Sequence, residues 1–377
     1  MTEFLPFWNR SDDAPAAMRI CAVGDVMLSR GVGRTIEAAG IDTLFDEVRS
    51  PLQEGITLGN LEGPISSRGV PNPGSHSHFR AAPDVVEGLV RAGFDVLHLA
   101  NNHIHDFGSD AVEDTLGLLQ EAGIRTLGVG RTIEEALRPE IVELAGFRFA
   151  FVGCTTMASV GAGAFVSAPF DPEAVERVIR PLVSDGVRVV VSIHFGHESI
   201  PYPVPEQRRR VRRLLEMGAD AVLGHHPHVL QGIETHEGGF AAYSLGNFLF
   251  DRVETEQRRS MIVRFGLDRA GLTGVEFLPV SIGADGSAAP ASGPERTVIE
   301  ARVRGLSAAL ADGSSDRLFW ETAGDSFIET HASNVSKTFA SGGWRGLLRL
   351  LGRVRPKHLR LAFVWVVRKL GLRRSRP

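Results

Sequence analysis

Apolar stretches of strand length recur along this chain, and each hands over to an acid, an amide or an imidazole. Residues 18–26 (MRICAVGDV) end at Asp25, and the short run 55–59 leads to Asn60, Leu61 and Glu62. Residues 94–100 run into Asn101, Asn102 and His103, and 187–193 end at His194. Residues 219–223 lead into Gly224-His225-His226-Pro227-His228. Continuous apolar runs of this length are strands buried on both faces. Between them lie segments of helical period at 84–92, 110–122, 172–182 and 206–217. Strand, loop and helix in alternation specify an α/β sandwich with helices over the sheet faces. Residues 240–279 break the alternation with three apolar segments and no helix, which predicts antiparallel strands added to one side of the sheet.

In open α/β sheets, ligands bind at the carboxyl ends of the strands. Asp25, Glu62, Asn102, His103, His194, His226 and His228 should therefore converge on one edge. Oxygen and nitrogen donors without cysteine suit a borderline divalent ion such as Mn²⁺, Fe²⁺ or Zn²⁺. Side chains two apart in an extended chain point the same way, and Pro227 biases His226 to the extended region. His226 and His228 are thus expected to share a site, with His225 pointing away. His98, inside the run VLHLA, reads as structural. Asp106 either supports His103 by a hydrogen bond or caps a helix near Gly108. The long loop 66–83 carries His76 and His78, and a loop of that length is often functional.

Composition removes several classes. Two cysteines, both in apolar runs, cannot staple a secreted scaffold and read as buried thiols. No G-x-G-x-x-G or G-x-S-x-G is completed. The first twenty residues lack the pattern of a signal peptide. No stretch reaches the roughly 18 apolar residues of a spanning helix. A cytoplasmic protein is expected, with no signal peptide or transmembrane helix. Charge is unevenly placed: after Glu329 there are twelve Lys and Arg and no acid, against 29 basic and 45 acidic residues up to and including it. In the tail, 333–377, Leu347, Leu348, Leu350 and Leu351 interleave with Arg345, Arg349 and Arg353 at helical spacing. That mixture suits an interfacial helix on an anionic membrane surface, here the inner face. Docking on a partner or on the acidic body competes with it, and nucleic acid is the least favoured of the three. Residues 282–295 are rich in Gly, Ala, Ser and Pro and read as a linker or surface loop, followed by helical stretches at 297–311 and 316–332.

Six ordered segments then reach a family: GDVMLSR (24–30), NLEGPIS (60–66), LANNHIHDFG (99–108), IHFGHE (193–198), GADAVLGHHPHVLQGIE (218–234) and YSLGNFLFD (243–251). The chain resembles the CapA-type proteins of capsule and poly-γ-glutamate biosynthesis, which have a metallophosphatase-like (calcineurin-like) fold. The resemblance implies a four-layer α/β sandwich over 18–281. Residues 1–17 would form an N-terminal extension, and 282–332 a linker with a C-terminal helical extension ahead of the tail. It also implies one or two divalent ions held by Asp25, Glu62, Asn102, His194, His226 and His228, with Glu62 in the bridging position. Met27 stands where the Asp-x-His motif of metallophosphatases has histidine, leaving one position a ligand short. His103 is expected to protonate a leaving group or steady transition-state charge. Arg30, Asn101, Glu198 and Asn247 are expected on the substrate side, Arg30 through its planar fork. The implied chemistry is metal-dependent hydrolysis of a phosphoester or a γ-glutamyl amide. The partner would be an anionic polymer or a phosphorylated substrate, within or outside a polymer-synthesis complex. The alternative is a non-catalytic, metal-binding component of a synthesis or export assembly.

Overall fold

The computed structural model describes residues 3–10, 18–73, 77–144, 146–157, 163–251, 254–326 and 328. The chain enters with β1 (Leu5–Asn9) and β2 (Met18–Val26), and α1 (Arg30–Ala39) and α2 (Arg49–Leu52) lead to β3 (Ile56–Leu61). The unit repeats through α3 (Val85–Ala92), β4 (Val96–His98), α4 (Gly108–Glu121) and β5 (Arg125–Leu127). After β6 (Val129–Gly130) and α5 (Ile133–Ala136) come β7 (Glu140–Leu144), β8 (Phe147–Thr155) and β9 (Val166–Ser167). Then follow α6 (Pro172–Ser184), β10 (Arg188–His194), α7 (Pro205–Glu216) and β11 (Ala221–His225). Strands alone come next: β12 (Ile233–His236), β13 (Gly239–Ala242), β14 (Asn247–Leu249), β15 (Arg259–Asp268), β16 (Gly271–Ile282) and β17 (Ala288–Pro290). The last elements are α8 (Gly293–Ala311) and a helical stretch at 315–326.

The strands form two large sheets. The first runs β1-β16-β15-β2-β3-β4-β5, with β14 beside β2 and β17 beside β16; the second runs β12-β13-β11-β10-β8-β7. Strands β2 to β5 are parallel, and so are β8, β10, β11 and β13. Of the antiparallel additions expected over 240–279, β15 and β16 extend the first sheet as expected, whereas the first of the three segments gives β13 and β14, which run parallel to β11 and β2 in different sheets.

Alternation along each strand sorts the core into layers. Ile20 and Ala22 of β2 pack with Phe149 and Phe151 of β8 and Val190 of β10 between the sheets. Cys21 and Val23 belong to the opposite face, with Val32 of α1, Leu89 of α3 and Val112 of α4. Ala150, Val152, Val189 and Val191 pack with Ile179 of α6 and Val211 of α7. The order is helix, sheet, sheet, helix, the four-layer sandwich that the resemblance implies. Both cysteines are free and buried, and burial pushes the Cys21 thiol up to about 12, so it is inert.

Two segments differ from the sequence reading. The expected N-terminal extension supplies an edge strand, β1, with Leu5 opposite Phe277 of β16. The expected linker at 282–295 instead folds back as β17 on β16, Val280 opposite Pro290. Asp285 closes that turn by accepting from the Ser287 backbone N–H at 3.1 Å and its hydroxyl at 2.7 Å; Gly, Ser and Asp are turn residues as much as linker residues. Ile299, Val303 and Leu306 of α8 then join the core between the sheets. The basic tail and His76 lie outside the described residues. Among the described residues no helix is long and apolar enough to cross a membrane.

Two glycines let the sheets meet at their carboxyl ends. A Cβ on Gly24 would stand 2.0 Å from the Gly246 carbonyl oxygen, and one on Gly224 would stand 2.0 Å from the Tyr243 carbonyl oxygen. The segment 243–247 passes between these two bare positions. Its passage lets the Asp25 backbone N–H donate to Gly246 O at 3.0 Å and sets Asn247 in register with Asp25.

Candidate metal centre

Five strand ends, those of β2, β3 and β4 in the first sheet and of β10 and β11 in the second, deliver the polar residues. Asp25 near the end of β2 is fully buried. Its Oδ1 accepts from Asn60 Nδ2 at 2.8 Å, and its Oδ2 accepts from the His226 backbone N–H at 3.3 Å. His228 Nδ1 lies 3.2 Å from Asp25 Oδ2. Burial opposes ionisation of Asp25, yet the imidazoles of His225 and His228 beside it hold the carboxyl well below the usual range. Glu62, also buried, has Oε1 3.6 Å from His228 Nε2 and 3.8 Å from His103 Nε2.

His194 Nε2 lies 2.8 Å from Asn102 Oδ1. Since that oxygen only accepts, Nε2–H donates and Nδ1 keeps its lone pair. His226 stands against His194, ring centroids 4.8 Å apart, and 5.9 Å from His228. One ligand atom from each of Asp25, Glu62 and His194 lies within 4.8 Å of the other two. Among the described residues, His194 Nδ1 and His226 Nδ1 are buried without a hydrogen-bond partner. Orphaned buried nitrogens are costly unless something completes them. Carboxylates and lone-pair imidazole nitrogens without thiolates are the donor set of a borderline divalent cation, so these residues fit one.

Charge divides the histidines. Burial, then the neighbouring His228, push His226 down to about 3, and burial with His226 pushes His194 well below the ordinary value. His228 goes the other way. Burial works against its proton, but the charges of Glu62 and Asp25 outweigh it and raise His228 to about 9.

His103 is held on two sides. Its Nδ1 donates to Asp106 Oδ2 at 2.8 Å, the supporting role that was open for Asp106. The same oxygen accepts from the Phe79 backbone N–H at 2.8 Å. Phe79 comes from the long loop 66–83 and stacks on the His103 ring, centroids 3.9 Å apart at 24°. The ring is thereby fixed with Nε2 toward Glu62.

The substrate-side expectations divide. Arg30 is exposed at the mouth, with Nε 3.3 Å from Asp251 Oδ2, and Glu198 is exposed and acts by charge on His228. Asn101 and Asn247 are instead fully buried. Asn101 donates to Asn60 Oδ1 and Leu61 O and accepts from the His103 and Ile104 backbone N–H groups. Asn247 sits behind His228, its Oδ1 2.9 Å from Nδ1, and donates to Gln257 O at 2.9 Å. Both orient site residues and leave no exposed group for a substrate.

The histidine turn also differs. His226 and His228 do share the site, but with φ of 97° and 58° rather than extended backbone. Left-handed φ is strained for a non-glycine residue and marks functional turns. His225 does not leave the site. On β11 it has the parity of Ala221 and Leu223, which face the first sheet, and that parity was the signal for it. Its Nδ1 lies 3.6 Å from Asp25 Oδ1, beyond hydrogen-bond distance, and its ring is 5.8 Å from that of His98. His98 is structural as expected, bonded to Ser192 Oγ at 2.6 Å and Ala100 O at 2.9 Å.

Residues 19–252 match the family described as "Bacterial capsule synthesis protein PGA_cap". The capsule biosynthesis protein CapA of Bacillus anthracis is 31% identical over 280 residues, 71% of this chain and 68% of that protein. The PGA biosynthesis protein CapA of Bacillus subtilis strain 168 is 32% identical over 279 residues, 72% of this chain and 73% of that protein. Among solved structures, a 5'-nucleotidase from Candida albicans SC5314 superposes with a TM-score of 0.42 at 11% identity, over 80% of this chain and 59% of that one.

Proposed function

As this chain belongs to the bacterial capsule synthesis protein family, we propose that it is a metal-dependent hydrolase serving an anionic polymer pathway, cleaving a phosphoester or a γ-glutamyl amide. One observation carries the reading: a buried Asp25, Glu62 and His194 cluster stands beside an imidazole whose Nδ1 is tied to Asp106. A structural cluster has no need of a histidine so oriented.

Asp25, Glu62, Asn102, His194, His226 and His228 would hold the metal. A bound divalent ion supplies Lewis acidity and lowers the pKa of a ligated water. The protein's own work is done around it. Asp106 accepts from His103 Nδ1, so a proton taken up at Nε2 makes an imidazolium that the Asp106 carboxylate stabilises, and that Nε2–H is the one passed to a leaving oxygen or nitrogen. Phe79 covers one face of that ring and limits water. Asn60 and the His226 backbone N–H keep the Asp25 carboxylate in place, and Asn247 orients His228.

The reading is tested by metal content and turnover together. Purified protein should carry or take up Mn²⁺, Fe²⁺ or Zn²⁺, and His226→Ala should lose most of it. One of three panels (phosphomonoesters, phosphodiesters, γ-glutamyl peptides) should show turnover abolished by chelation. Metal uptake with no turnover on any panel would leave a binding role in place of the hydrolase.

Proton release gives a second check. His228, raised to about 9, carries a proton at pH 7.5, whereas His226 and His194 are already neutral. Ligation requires the neutral ring, so metal binding at pH 7.5 should release about one proton per site, falling toward zero near pH 10. Calorimetry in two buffers of different ionisation enthalpy measures this. A binding heat at pH 7.5 that ignores the buffer contradicts the assignment of His228.

A further inference from the structure

A cavity of about 530 Å³ lies between α1 and the segment leading into α3. It is within the size range of ligand pockets, about 300–1,000 Å³, and far larger than one phosphate or carboxylate. Arg30, Arg34 and Arg80 line it, with Ser67 and two carboxylates, Glu37 and Asp84. Neither Arg34 nor Arg80 makes an ion pair among the described residues, so the acids do not neutralise them. Arg80 is nonetheless held: it donates to Arg68 O at 3.1 Å and its guanidinium lies 4.1 Å from the Phe107 ring centroid.

Arg30 joins this cavity to the site. Its φ is 55°, a left-handed value that costs a non-glycine residue and persists only where neighbours enforce it. Asp251 enforces it, accepting from the Gly31 backbone N–H at 2.9 Å while facing Arg30 Nε at 3.3 Å. The Arg30 guanidinium is thereby set 5.3 Å from the Phe79 ring, and Phe79 stacks on His103. Arg30, which lines the cavity, thus touches Phe79, and Phe79 touches the imidazole.

We propose that this cavity is a subsite for a linear polyanion, a chain bearing regularly spaced carboxylate or phosphate groups. Arg34 and Arg80 hold the units flanking the bond to be cleaved, and Arg30 aligns the unit beside His103. Guanidinium forks match the planar or tetrahedral oxygens of both anions. A preset arginine loses less freedom on binding than a mobile one. The assignment rests on the reading that the site serves an anionic polymer.

The test is binding, on the full chain. Labelled γ-linked glutamate oligomers, polyphosphate of similar length and a neutral γ-linked glutamine oligomer are titrated by fluorescence anisotropy. One or both anions should bind and the neutral chain should not; the tighter anion identifies the charge the subsite reads. Arg34→Ala should raise Kd about tenfold and Arg34→Ala with Arg80→Ala about a hundredfold, one charged contact each. Arg34 is exposed on α1, so its loss leaves the fold intact even where Arg80→Ala disturbs the loop; unchanged melting confirms this. Arg180→Ala on α6 should shift Kd less than twofold, and Arg34→Lys should recover part of the loss. Equal affinity of wild type and double variant overturns the proposal, since the basic segment 333–377, present in both, then accounts for binding. Binding of the neutral chain as tightly as the anions, or of none of the three, overturns it too. Because the readout is affinity, a protein that hydrolyses nothing can still show the loss, and one that turns over its substrate can still fail to show it.

Discussion

Replacing His103 with alanine should cut metal-dependent turnover by about 10²–10⁴-fold with metal content unchanged. The expectation follows from how the ring is held. Its Nδ1 is committed to Asp106 at 2.8 Å, and its face is covered by Phe79 at 3.9 Å. A side chain fixed on two sides with its remaining nitrogen over Glu62 is placed for proton transfer. The nearest Glu62 oxygen is 3.8 Å from Nε2, so the ring borders the cluster without belonging to it, and metal should survive its loss. Asp106→Asn makes a sharper probe. It removes the charge that steadies the protonated ring but keeps the shape and an amide oxygen able to accept from Nδ1, so turnover should fall less than in His103→Ala and the pH profile should move. Full activity in His103→Ala would remove the acid role. Loss of metal together with activity would make His103 a ligand.

The largest stability effect is expected far from the site. Glu234 on β12 is buried and accepts from Arg208 Nη2 at 2.8 Å, Arg212 Nε at 3.1 Å and the Tyr243 hydroxyl at 2.8 Å. Arg208 is itself buried and also donates to Leu310 O. Glu234→Ala leaves the buried guanidinium with only Leu310 O, Ser315 Oγ and the half-buried Asp316 at 3.7 Å, and should cost about 3–5 kcal/mol, read as a lower denaturant midpoint at unchanged slope. A loss under about 1 kcal/mol would mean that water reaches Arg208 and the pair is a surface one. Burial opposes ionisation of Glu234, but Arg212, Arg208 and Tyr243 outweigh it and hold its carboxyl below the ordinary 4.5. Its contribution is therefore complete above that value and is lost as pH falls through the lowered pKa.

The strand ends were legible because burial on both faces writes an unbroken apolar run, and a polar residue closing such a run stands out. Asp25, Glu62, His194 and the histidine turn were all visible in that way. What escaped depends on contacts distant in sequence. Nothing local in LPFWN shows that Leu5 pairs with Phe277. Buried runs look alike whichever sheet they join, so the division into two sheets was not legible. Asn101 and Asn247 sit beside site residues in sequence, but only the fold shows that their amides are turned inward. Alternation along an extended chain sets His225 apart from His226 and His228, but the turn is not extended, and the parity of His225 on β11 turns it to the first sheet and Asp25.

The crossing of 243–247 between Gly24 and Gly224 constrains sequence drift in an unusual way. At most glycines in contact with side chains, a neighbour can shrink to admit a methyl group. Here the obstructing atoms are carbonyl oxygens, which every residue type carries, so no second substitution elsewhere can clear the space. Those two positions answer to the geometry of the crossing rather than to chemistry. A descendant that had exchanged every metal-type residue for another function would still need both glycines to keep this architecture.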